Sequence, residues 1–363
     1  MASIAFYAPM KAPTHPTPSG DREMARGLFQ LLNENTHGVK TTLASELRIY
    51  DDKGGENLQA KIIQQAKAEA QKLIIKGRLE NWAAWVSYHN YYKAPDLIGP
   101  IVAKALNIPY ILLESTRAHK RLTGPWAEFA KLAETASDQA DVIFYFTKQD
   151  KEALEQYKAN QQRIIHLHPF LMQDAIDASP RAKPQKNTLL SVGMMRSGAK
   201  TQSYKVISEV LTHLKTTDWQ LNIVGDGPNY KEIHDTFQNF GKNISFLGKL
   251  DKRALKTAYN TATAFLWPGV DEAYGMVYLE AQAAGLPVIA ENRPGVCDVI
   301  ASETNLIPYN HPEAMAKAID DLFANTSHWY EQSQASLKHI TKNHLKPKAS
   351  ETLWSTLTPL IKR

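Results

Sequence analysis

The stretch that decides the fold lies in the second half of the chain and reads Trp267-Pro-Gly-Val-Asp-Glu-Ala-Tyr-Gly-Met-Val-Tyr-Leu-Glu-Ala-Gln-Ala-Ala-Gly-Leu-Pro287. Two glutamates, Glu272 and Glu280, stand on either side of Gly275 with seven residues between them. Because glycine lets the backbone turn into a helix, Glu272 is predicted in a loop and Glu280 one turn inside the helix. Amides at a helix start have no partner within the helix, so four residues are predicted to face an anion: Tyr274, Gly275, Met276 and Val277.

This stretch resembles the E-x7-E signature of retaining glycosyltransferases of the family 4 type, which have the GT-B fold. The run Ala-Gly-Leu-Pro-Val-Ile-Ala at 284–290 is similar to the strand start that accompanies the signature. The alternative interpretation is an amphipathic helix with two incidental acids. It explains Leu279, but it does not explain why a glycine precedes the helix and a glycine and a proline follow it. The resemblance implies an α/β protein of GT-B architecture: two doubly wound Rossmann-like domains that face a cleft, with a C-terminal helix that crosses back to the first domain.

Length and composition limit the class of protein. With 363 residues and 43% hydrophobic side chains, the chain can build two cores of ordinary size. The formal charge is +5, from 42 basic and 37 acidic residues, so the surface is mildly basic rather than polycationic. This balance suits a phosphorylated substrate or an anionic membrane face at least as well as a nucleic acid. We therefore expect no nucleic-acid partner.

The N-terminus and the cysteine content bear on location. The first apolar run has no basic segment before it and is too short for a signal peptide, so it is predicted as a strand. No apolar stretch reaches the roughly 18 to 20 residues of a membrane helix, so any contact with an anionic membrane would be peripheral. Cys297 is the single cysteine, which fits a reducing compartment. We expect a cytoplasmic protein, peripheral at the inner membrane face if it contacts a membrane.

Short apolar runs alternate with helical patterns along the chain, which is typical of parallel sheets covered by helices. Strands are predicted at twelve runs, of which Leu306 to Pro308 is the last. The basic run Leu337 to Lys348 is predicted as a solvated helix end. The predicted organisation is an acceptor-side Rossmann-like domain at 1–175, a polar linker with two prolines at 176–187, a nucleotide-sugar-binding Rossmann-like domain at 188–348 and a crossover helix at 349–363.

A basic loop, 193–200, follows the first strand of the second domain. When the bond between a sugar's anomeric carbon and a nucleoside diphosphate breaks, negative charge grows on the phosphate and requires fixed positive charge. Arg196 can make a bidentate contact, Lys200 offers a point charge, and Gly193 permits close backbone approach. Arg196 and Lys200 resemble the family's paired basic residues, although their spacing departs from the usual arrangement. For Lys200 an ordinary surface cation remains an alternative.

Further donor-site residues are implied by the resemblance. Glu280 would accept hydrogen bonds from the ribose hydroxyls, and Glu272 would face the donor sugar or the reacting centre. Other positions resemble family segments that present backbone to the nucleotide: Gly225 in a Gly-x-Gly-Pro turn, and Gly248, Lys249 and Leu250 at a strand end. A glycine turn or a plain strand end explains these letters equally well. No Asp-x-Asp occurs in the sequence, so neither a metal nor another cofactor is expected.

The first domain is predicted to hold the acceptor. Gly20 lies in a loop that resembles the family's glycine-bearing first loop, although a capped helix start explains the same letters. His89 ends a strand among aromatic residues, where α/β proteins place ligands, and it is a candidate catalytic contact or a packing residue. The run Glu114 to Arg121 could bind an anionic acceptor or be a solvated charge run. His166 and His168 lack a visible third ligand, so zinc is not expected.

The resemblance implies a retaining glycosyltransferase with Glu272, Arg196 and Lys200 in the reaction, to which the strand-end position adds His89. The absence of Asp-x-Asp predicts that the enzyme is metal-independent. It would move a sugar from a nucleoside-diphosphate donor to a glycan, a lipid-linked or a small-molecule acceptor, in keeping with the family's frequent role in cell-surface glycans. The resemblance implies that the leaving diphosphate itself takes the acceptor's proton. Two alternatives remain open: a phosphorylase or epimerase of the same fold, and a non-catalytic sugar-binding or scaffold protein of a polysaccharide assembly.

Overall fold

The computed structural model describes residues 3–17, 19–302, 304 and 306–361. The chain divides into two compact units, the first formed by Met1–His168 with Ala349–Arg363 and the second by Pro169–Lys348. Each unit contains one parallel sheet flanked by helices. The predicted α/β class with two doubly wound domains is therefore confirmed. Residues 362–363, the predicted end of the last helix, lie outside the described range.

Unit 1 is built on a six-stranded parallel sheet in the order β2-β1-β3-β4-β5-β6. Its strands are β1 (Ser3–Tyr7), β2 (Lys40–Ser45), β3 (Trp82–Asn90), β4 (Tyr110–Ser115), β5 (Val142–Tyr145) and β6 (Arg163–His166). β1, β4 and β5 are buried along their whole length, which is typical of a sheet covered on both faces. The order reverses between β1 and β3, so a crevice is expected at the carboxyl ends of those two strands.

The helices of unit 1 are α1 (Gly20–Asn33), α2 (Glu56–Leu79), α3 (Gly99–Leu106), α4 (Ala127–Gln139) and α5 (Lys148–Gln156), with a 3₁₀ turn at His119–Arg121. Ser19 caps α1 by accepting a hydrogen bond from the amide of Arg22. Thr147 caps α5 in the same way through the amide of Asp150. These caps satisfy amides that have no partner inside the helix and fix where each helix begins, next to the carboxyl end of a strand.

Unit 2 has a five-stranded parallel sheet in the order β11-β10-β7-β8-β9. Its strands are β7 (Thr188–Val192), β8 (Gln220–Val224), β9 (Ile244–Gly248), β10 (Ala264–Leu266) and β11 (Val288–Ile289). Its helices are α6 (Ala199–Thr212), α7 (Tyr230–Thr236), α8 (Lys252–Thr261), α9 (Met276–Ala283), α10 (Val296–Val299), α11 (Pro312–Ala324) and α12 (Thr326–Asn343), with a 3₁₀ segment at Gln238–Asn243. The order reverses between β7 and β10, which is where such sheets bind ligands.

The predicted linker, 176–187, is tied to unit 2 by two side chains. Arg181 donates to the carbonyl of Ala284 at 2.5 Å and to that of Asn260, and it lies over the ring of Trp329. Lys183 donates to the carbonyl of Phe323 at 2.6 Å.

Two sequence predictions were wrong. Leu306 to Pro308 does not form a strand, because only Ile307 pairs, in an isolated bridge with Glu291. The run Leu337 to Lys348 is not a solvated helix end: it contains the junction of α12 with the last helix, and His344 there is fully buried. Burial of this polar ring is tolerated because its Nδ1 forms a hydrogen bond of 2.6 Å with the carbonyl oxygen of Pro169. Pro169 is 175 positions away in the chain, so the local sequence pattern does not reveal this partner.

The last helix, α13 (Lys346–Ile361), returns to unit 1 as expected, because residues from Ala349 onward belong to that unit. It continues through Pro359. Leu353, Trp354 and Leu357 are buried, and the ring of Trp354 lies 4.8 Å from that of His37 between centroids. The apolar stripe of α13 therefore completes the core of unit 1.

Candidate functional site

The candidate site of unit 2 forms where the strand order reverses. The loop after β7 carries Gly193 and Arg196, and the loop after β10 carries Trp267 and Glu272. β7 and β10 are hydrogen-bonded neighbours, so these two loops leave the same edge of the sheet side by side. The two sequence segments predicted to bind the donor are thereby brought together.

Lys200 and Glu272 form an ion pair at this edge. The ammonium of Lys200 donates to Glu272 Oε1, and the indole Nε1 of Trp267 donates to the same oxygen at 3.0 Å. The ammonium also lies 5.2 Å above the centre of the Trp267 ring, a cation–π contact. Lys200 is therefore more than a surface cation, because it is held over a buried tryptophan by the first glutamate of the signature.

Arg196 is exposed in the loop between β7 and α6. Its main chain is fixed, because its carbonyl accepts from the amide of Thr201 at 3.2 Å and from the hydroxyl at 2.8 Å. Within the described part of the chain, its guanidinium makes no hydrogen bond or ion pair. A planar cation on a fixed loop is available to bind a phosphate in bidentate fashion.

The helix predicted after Gly275 is α9, and it begins at Met276. Gly275 precedes it with a φ of +73°, where an added Cβ would lie 2.8 Å from the ring of Tyr278. The amide of Tyr278 bonds the carbonyl of Gly275 at 3.1 Å, which leaves Met276 and Val277 in the first turn with amides that cannot bond within α9. Tyr274 lies before the cap and is buried.

Glu280 lies inside α9 and is held by a residue that sequence reasoning missed. The hydroxyl of Tyr259, on α8, donates to Glu280 Oε2 at 2.9 Å. Burial raises the pKa of Glu280, although the Tyr259 hydrogen bond and the charge of Lys252 act to lower it. The sequence offers one signal for Tyr259: it is a large aromatic residue in an otherwise mostly polar helix, and it is the residue of α8 that is buried.

The predicted glycines of unit 2 allow loops to approach closely. Gly225 has a φ of +146°, and a Cβ there would lie 1.9 Å from the carbonyl oxygen of Gly193. A Cβ on Gly193 would in turn lie 2.7 Å from the ring of Trp267. Gly225 therefore supports the loop that carries Arg196. Gly248, Lys249 and Leu250 lie at the end of β9, the edge strand, where the carbonyl of Gly248 accepts from the amide of Gly225 at 2.9 Å.

In unit 1, Gly20 and His89 lie near the carboxyl ends of β1 and β3. Gly20 is the first residue of α1, and an added Cβ there would meet open space. His89 Nδ1 lies 4.0 Å from Asp21 Oδ1, the residue after Gly20, and 3.8 Å from Glu114 Oε2 at the end of β4. The structure therefore brings these two predicted residues together through Asp21, and it adds Glu114.

In the run Glu114 to Arg121, the two arginines contact other side chains of the unit, whereas Lys120 is exposed. The Arg117 guanidinium is buried and pairs with Glu134 at 2.6 Å and Asp138 at 2.7 Å. Arg121 lies over the rings of Tyr92 and Trp126. The Arg117 charge is therefore paired inside the unit, because α4 supplies two acids that the run itself does not contain.

His166 and His168 lie at the end of β6 with ring centres 4.0 Å apart. Across residues 3–17, 19–302, 304 and 306–361, no group of three or more metal-ligating side chains is found. In the same ranges no helix is long and apolar enough to cross a membrane.

Comparison with known proteins bears on both units. Residues 172–343 match the family model "Glycosyl transferases group 1". An uncharacterized 41.2 kDa protein in the cps region of Klebsiella pneumoniae is 26% identical over 44% of this chain and 42% of its own length. D-inositol 3-phosphate glycosyltransferase of Corynebacterium aurimucosum is 23% identical over 69% of this chain and 66% of its own. The chain thus matches less than two thirds of each of these relatives.

Two solved structures share the complete fold. Sucrose-phosphate synthase of Thermosynechococcus elongatus superposes with a TM-score of 0.73 at 16% identity, over 100% of both chains. Anabaena Alr3699/HepE, solved with UDP and glucose, superposes with a TM-score of 0.70 at 12% identity, over 99% of this chain and 100% of its own. The two parallel-sheet domains therefore have the fold of GT-B glycosyltransferase structures, and residues 172–343 match the group 1 model.

Proposed function

We propose that the chain is a retaining glycosyltransferase that binds a nucleoside-diphosphate sugar on unit 2. The observation that carries this proposal is the set of cationic and amide groups where the strand order of unit 2 reverses. Arg196, Lys200 and the first turn of α9 all belong to the loops that leave β7 and β10. The match of residues 172–343 to the group 1 model supports it, since that range contains all three.

The chemistry assigns each group a task. As the bond from the anomeric carbon to the diphosphate oxygen breaks, the electron pair stays on the diphosphate, and Arg196 binds the growing charge through two N–H donors. Lys200, held in place by Glu272, adds a second positive charge. The amides of Met276 and Val277 supply neutral donors at the positive end of a helix.

Retention of configuration requires the acceptor hydroxyl to reach the anomeric carbon from the side that the diphosphate leaves. The acceptor oxygen then forms the new bond, and its proton passes to a diphosphate oxygen. In this scheme the base is the leaving group, so the protein has to position and stabilise rather than take a proton. Glu272, which already accepts two hydrogen bonds, is placed to orient Lys200 and the donor sugar.

Glu280 is assigned to the ribose. Its Oε2 is occupied by the Tyr259 hydroxyl, and its other oxygen can accept from a ribose hydroxyl. A neutral hydroxyl that donates to Glu280 favours the ionised carboxylate against its burial. Tyr259 then acts as a positioning residue that holds the carboxylate in one orientation.

The acceptor side is assigned to unit 1, with Gly20 and His89 as its contacts. The acceptor would be a glycan, a lipid-linked or a small-molecule hydroxyl compound, and the role would lie in building cell-surface glycans. A relative in a cps region supports that role. The +5 charge suits a cytoplasmic protein that meets an anionic inner membrane face peripherally. The cationic groups in unit 2 suit metal-independent transfer.

The test is a panel of UDP, GDP and ADP in thermal unfolding and calorimetry. A nucleotide at about one hundred times its dissociation constant should add about 2.7 kcal/mol to stability. Arg196→Ala should weaken this binding, whereas Arg253→Ala, at an exposed arginine on α8 of the same unit, should not. No binding by any of the three nucleotides would refute the donor site. Binding without any turnover of the matching sugar nucleotides would favour the non-catalytic alternative.

A further inference from the structure

Two residues at the ends of neighbouring strands in unit 1 have an unusual backbone. His89, at the end of β3, has a φ of +71°, and Glu114, at the end of β4, has a φ of +58°. Neither is a glycine, and a side chain in this region costs energy that the surrounding structure must supply. Both residues lie where a doubly wound sheet binds its ligands.

The side chains at this edge leave acceptors without partners. The Glu114 side chain is 9% exposed, and its Oε2 has no hydrogen-bond partner. His89 Nδ1 is buried and also lacks one. The two atoms lie 3.8 Å apart, and Asp21 Oδ1 lies 4.0 Å from the same nitrogen. These separations are too long for hydrogen bonds between the groups, so the three acceptors do not satisfy one another.

The charge around Glu114 is negative. Burial raises its pKa, and the carboxylates of Asp150 and Asp21 raise it further, while a Tyr88 hydrogen bond acts in the opposite direction. Burial lowers the pKa of His89, so its ring is neutral near pH 7. Asp21 lies in the first turn of α1. Asp150 is held by the hydroxyls of Thr116 and Thr147.

We propose that the His89, Glu114 and Asp21 side chains form a binding site for the ammonium group of an amino-sugar acceptor. This site, the ammonium site below, rests on the proposed function, because it names the acceptor class of that enzyme. An ammonium has three N–H donors and one positive charge. It can donate to Glu114 Oε2, Asp21 Oδ1 and His89 Nδ1 together.

A hydroxyl group fits the ammonium site less well. It has one donor and no positive charge, so it would leave two of the three acceptors without a donor and would not favour ionisation of Glu114. An N-acetylated amine also lacks the charge and carries a bulkier group. Asp21 is the most exposed of the three residues, with a side chain that is 40% exposed, so a ligand would approach from its side.

The experiment is calorimetric binding of glucosamine, N-acetylglucosamine and glucose to the full chain saturated with UDP, at a pH where the free amine is protonated. Glucosamine should bind at least tenfold more tightly than the other two. Its charge should also favour ionisation of Glu114, so binding should release a proton, detected as a dependence of the heat on the buffer. N-acetylglucosamine should show no such release.

The variants test whether the named carboxylates are responsible. Glu114→Gln keeps the shape and removes the charge, so it should weaken glucosamine binding at least tenfold and abolish proton release. Asp21→Asn, at a more exposed helix start, should weaken binding severalfold and provides a second test if the first variant does not fold. Glu155→Gln, an exposed glutamate on α5, is the matched control and should change nothing.

The outcomes separate this inference from the donor site. If UDP binds but the three sugars bind equally, or if Glu114→Gln binds glucosamine as wild type does, the ammonium site is refuted and the donor site stands. Tight binding of Mg²⁺ or Zn²⁺ that Glu114→Gln abolishes would also overturn it, in favour of a metal site. If UDP itself fails to bind, it is the proposed function that fails.

Discussion

The ligand edges of the two units differ in backbone and charge. In unit 2, positive φ angles fall on glycines such as Gly225 and Gly275, although Asp271 beside Glu272 also has one, and Lys200 forms an ion pair with Glu272. In unit 1, positive φ angles fall on His89 and Glu114, and the carboxylates have no cation among the groups that shift the pKa of Glu114. Glu272 in unit 2 is thus paired with a cation of its own unit, whereas Glu114 in unit 1 lies among other carboxylates.

The largest expected effect tests the glycine side of this comparison. Gly295, before α10, has a φ of +80°, and an added Cβ would lie 1.7 Å from the carbonyl oxygen of Ala273, in the Glu272 loop. Left-handed strain of about 1–2 kcal/mol and overpacking of about 1–3 kcal/mol should together make Gly295→Ala lose about 2–5 kcal/mol. Urea unfolding measures this loss.

The matched control is Gly241→Ala, in the same unit, at a φ of +52° but in open space. It should lose only the strain of about 1–2 kcal/mol. Equal losses in the two variants would show that the close approach of Gly295 to the Glu272 loop does not contribute.

The second prediction concerns the charge side of unit 2. Arg196→Ala should cost about 2–4 kcal/mol in the transition state, or on the order of 30-fold to a thousand-fold in turnover. Arg196→Lys should recover only part, because it restores charge without the planar fork. Donor turnover at saturating substrate is the measurement, with folding checked by circular dichroism and Arg253→Ala as control. A folded alanine variant within about twofold of wild type would move the phosphate contact to Lys200 and the α9 amides.

The third prediction separates Glu280 from the phosphate contacts. Hydrogen bonds to a charged group are worth about 1 to 1.5 kcal/mol more than neutral ones, so Glu280→Gln should weaken UDP binding about fivefold to tenfold. For 2′-deoxy-UDP the same substitution should cost less, because one ribose donor is already missing. Calorimetry of both nucleotides with both proteins checks this. An equal loss for the two nucleotides would mean that Glu280 does not contact the 2′-hydroxyl.

The fourth prediction uses the buried carboxyl group of Glu114 in unit 1. The pKa of Glu114 is raised in the folded protein, so the unfolded chain ionises first as pH rises past about 4.3. Wild type should therefore lose stability relative to Glu114→Gln above that pH, until the pH passes the folded pKa. Below it the two proteins should show the same pH dependence. Urea unfolding across the acid-to-neutral range measures the difference, and a constant difference at all pH values would contradict the burial argument.

The smallest expected effect is that of chelation. Because Arg196, Lys200 and the α9 amides supply the positive groups of the proposed donor site, turnover in EDTA should stay within about twofold of the untreated enzyme. Loss of turnover that manganese restores would show that a metal ion takes part. The positive charge at the donor site would then come from the metal ion as well as from the protein.

Most of the fold could be predicted from the sequence, because buried parallel strands are short apolar runs between turn residues. The donor side was also readable, since Gly275 and the glutamates around it are close in sequence. Tyr259, Glu114 and the partners of Arg117 could not be predicted in these roles. Their contacts join residues that are 17 or more positions apart, or depend on a left-handed backbone at a residue that is not glycine. The site assignments themselves stay predictions.

The order of elements along the chain has a consequence for synthesis on the ribosome. Unit 2 is one continuous segment, whereas the core of unit 1 needs α13, which is translated after all of unit 2. Unit 2 can therefore fold while the chain is still attached, and unit 1 waits with its apolar groove open until Leu353, Trp354 and Leu357 have left the exit tunnel. A nascent chain that stalls before α13 would present that groove to chaperones and proteases, so the folding of unit 1 depends on a helix translated after unit 2.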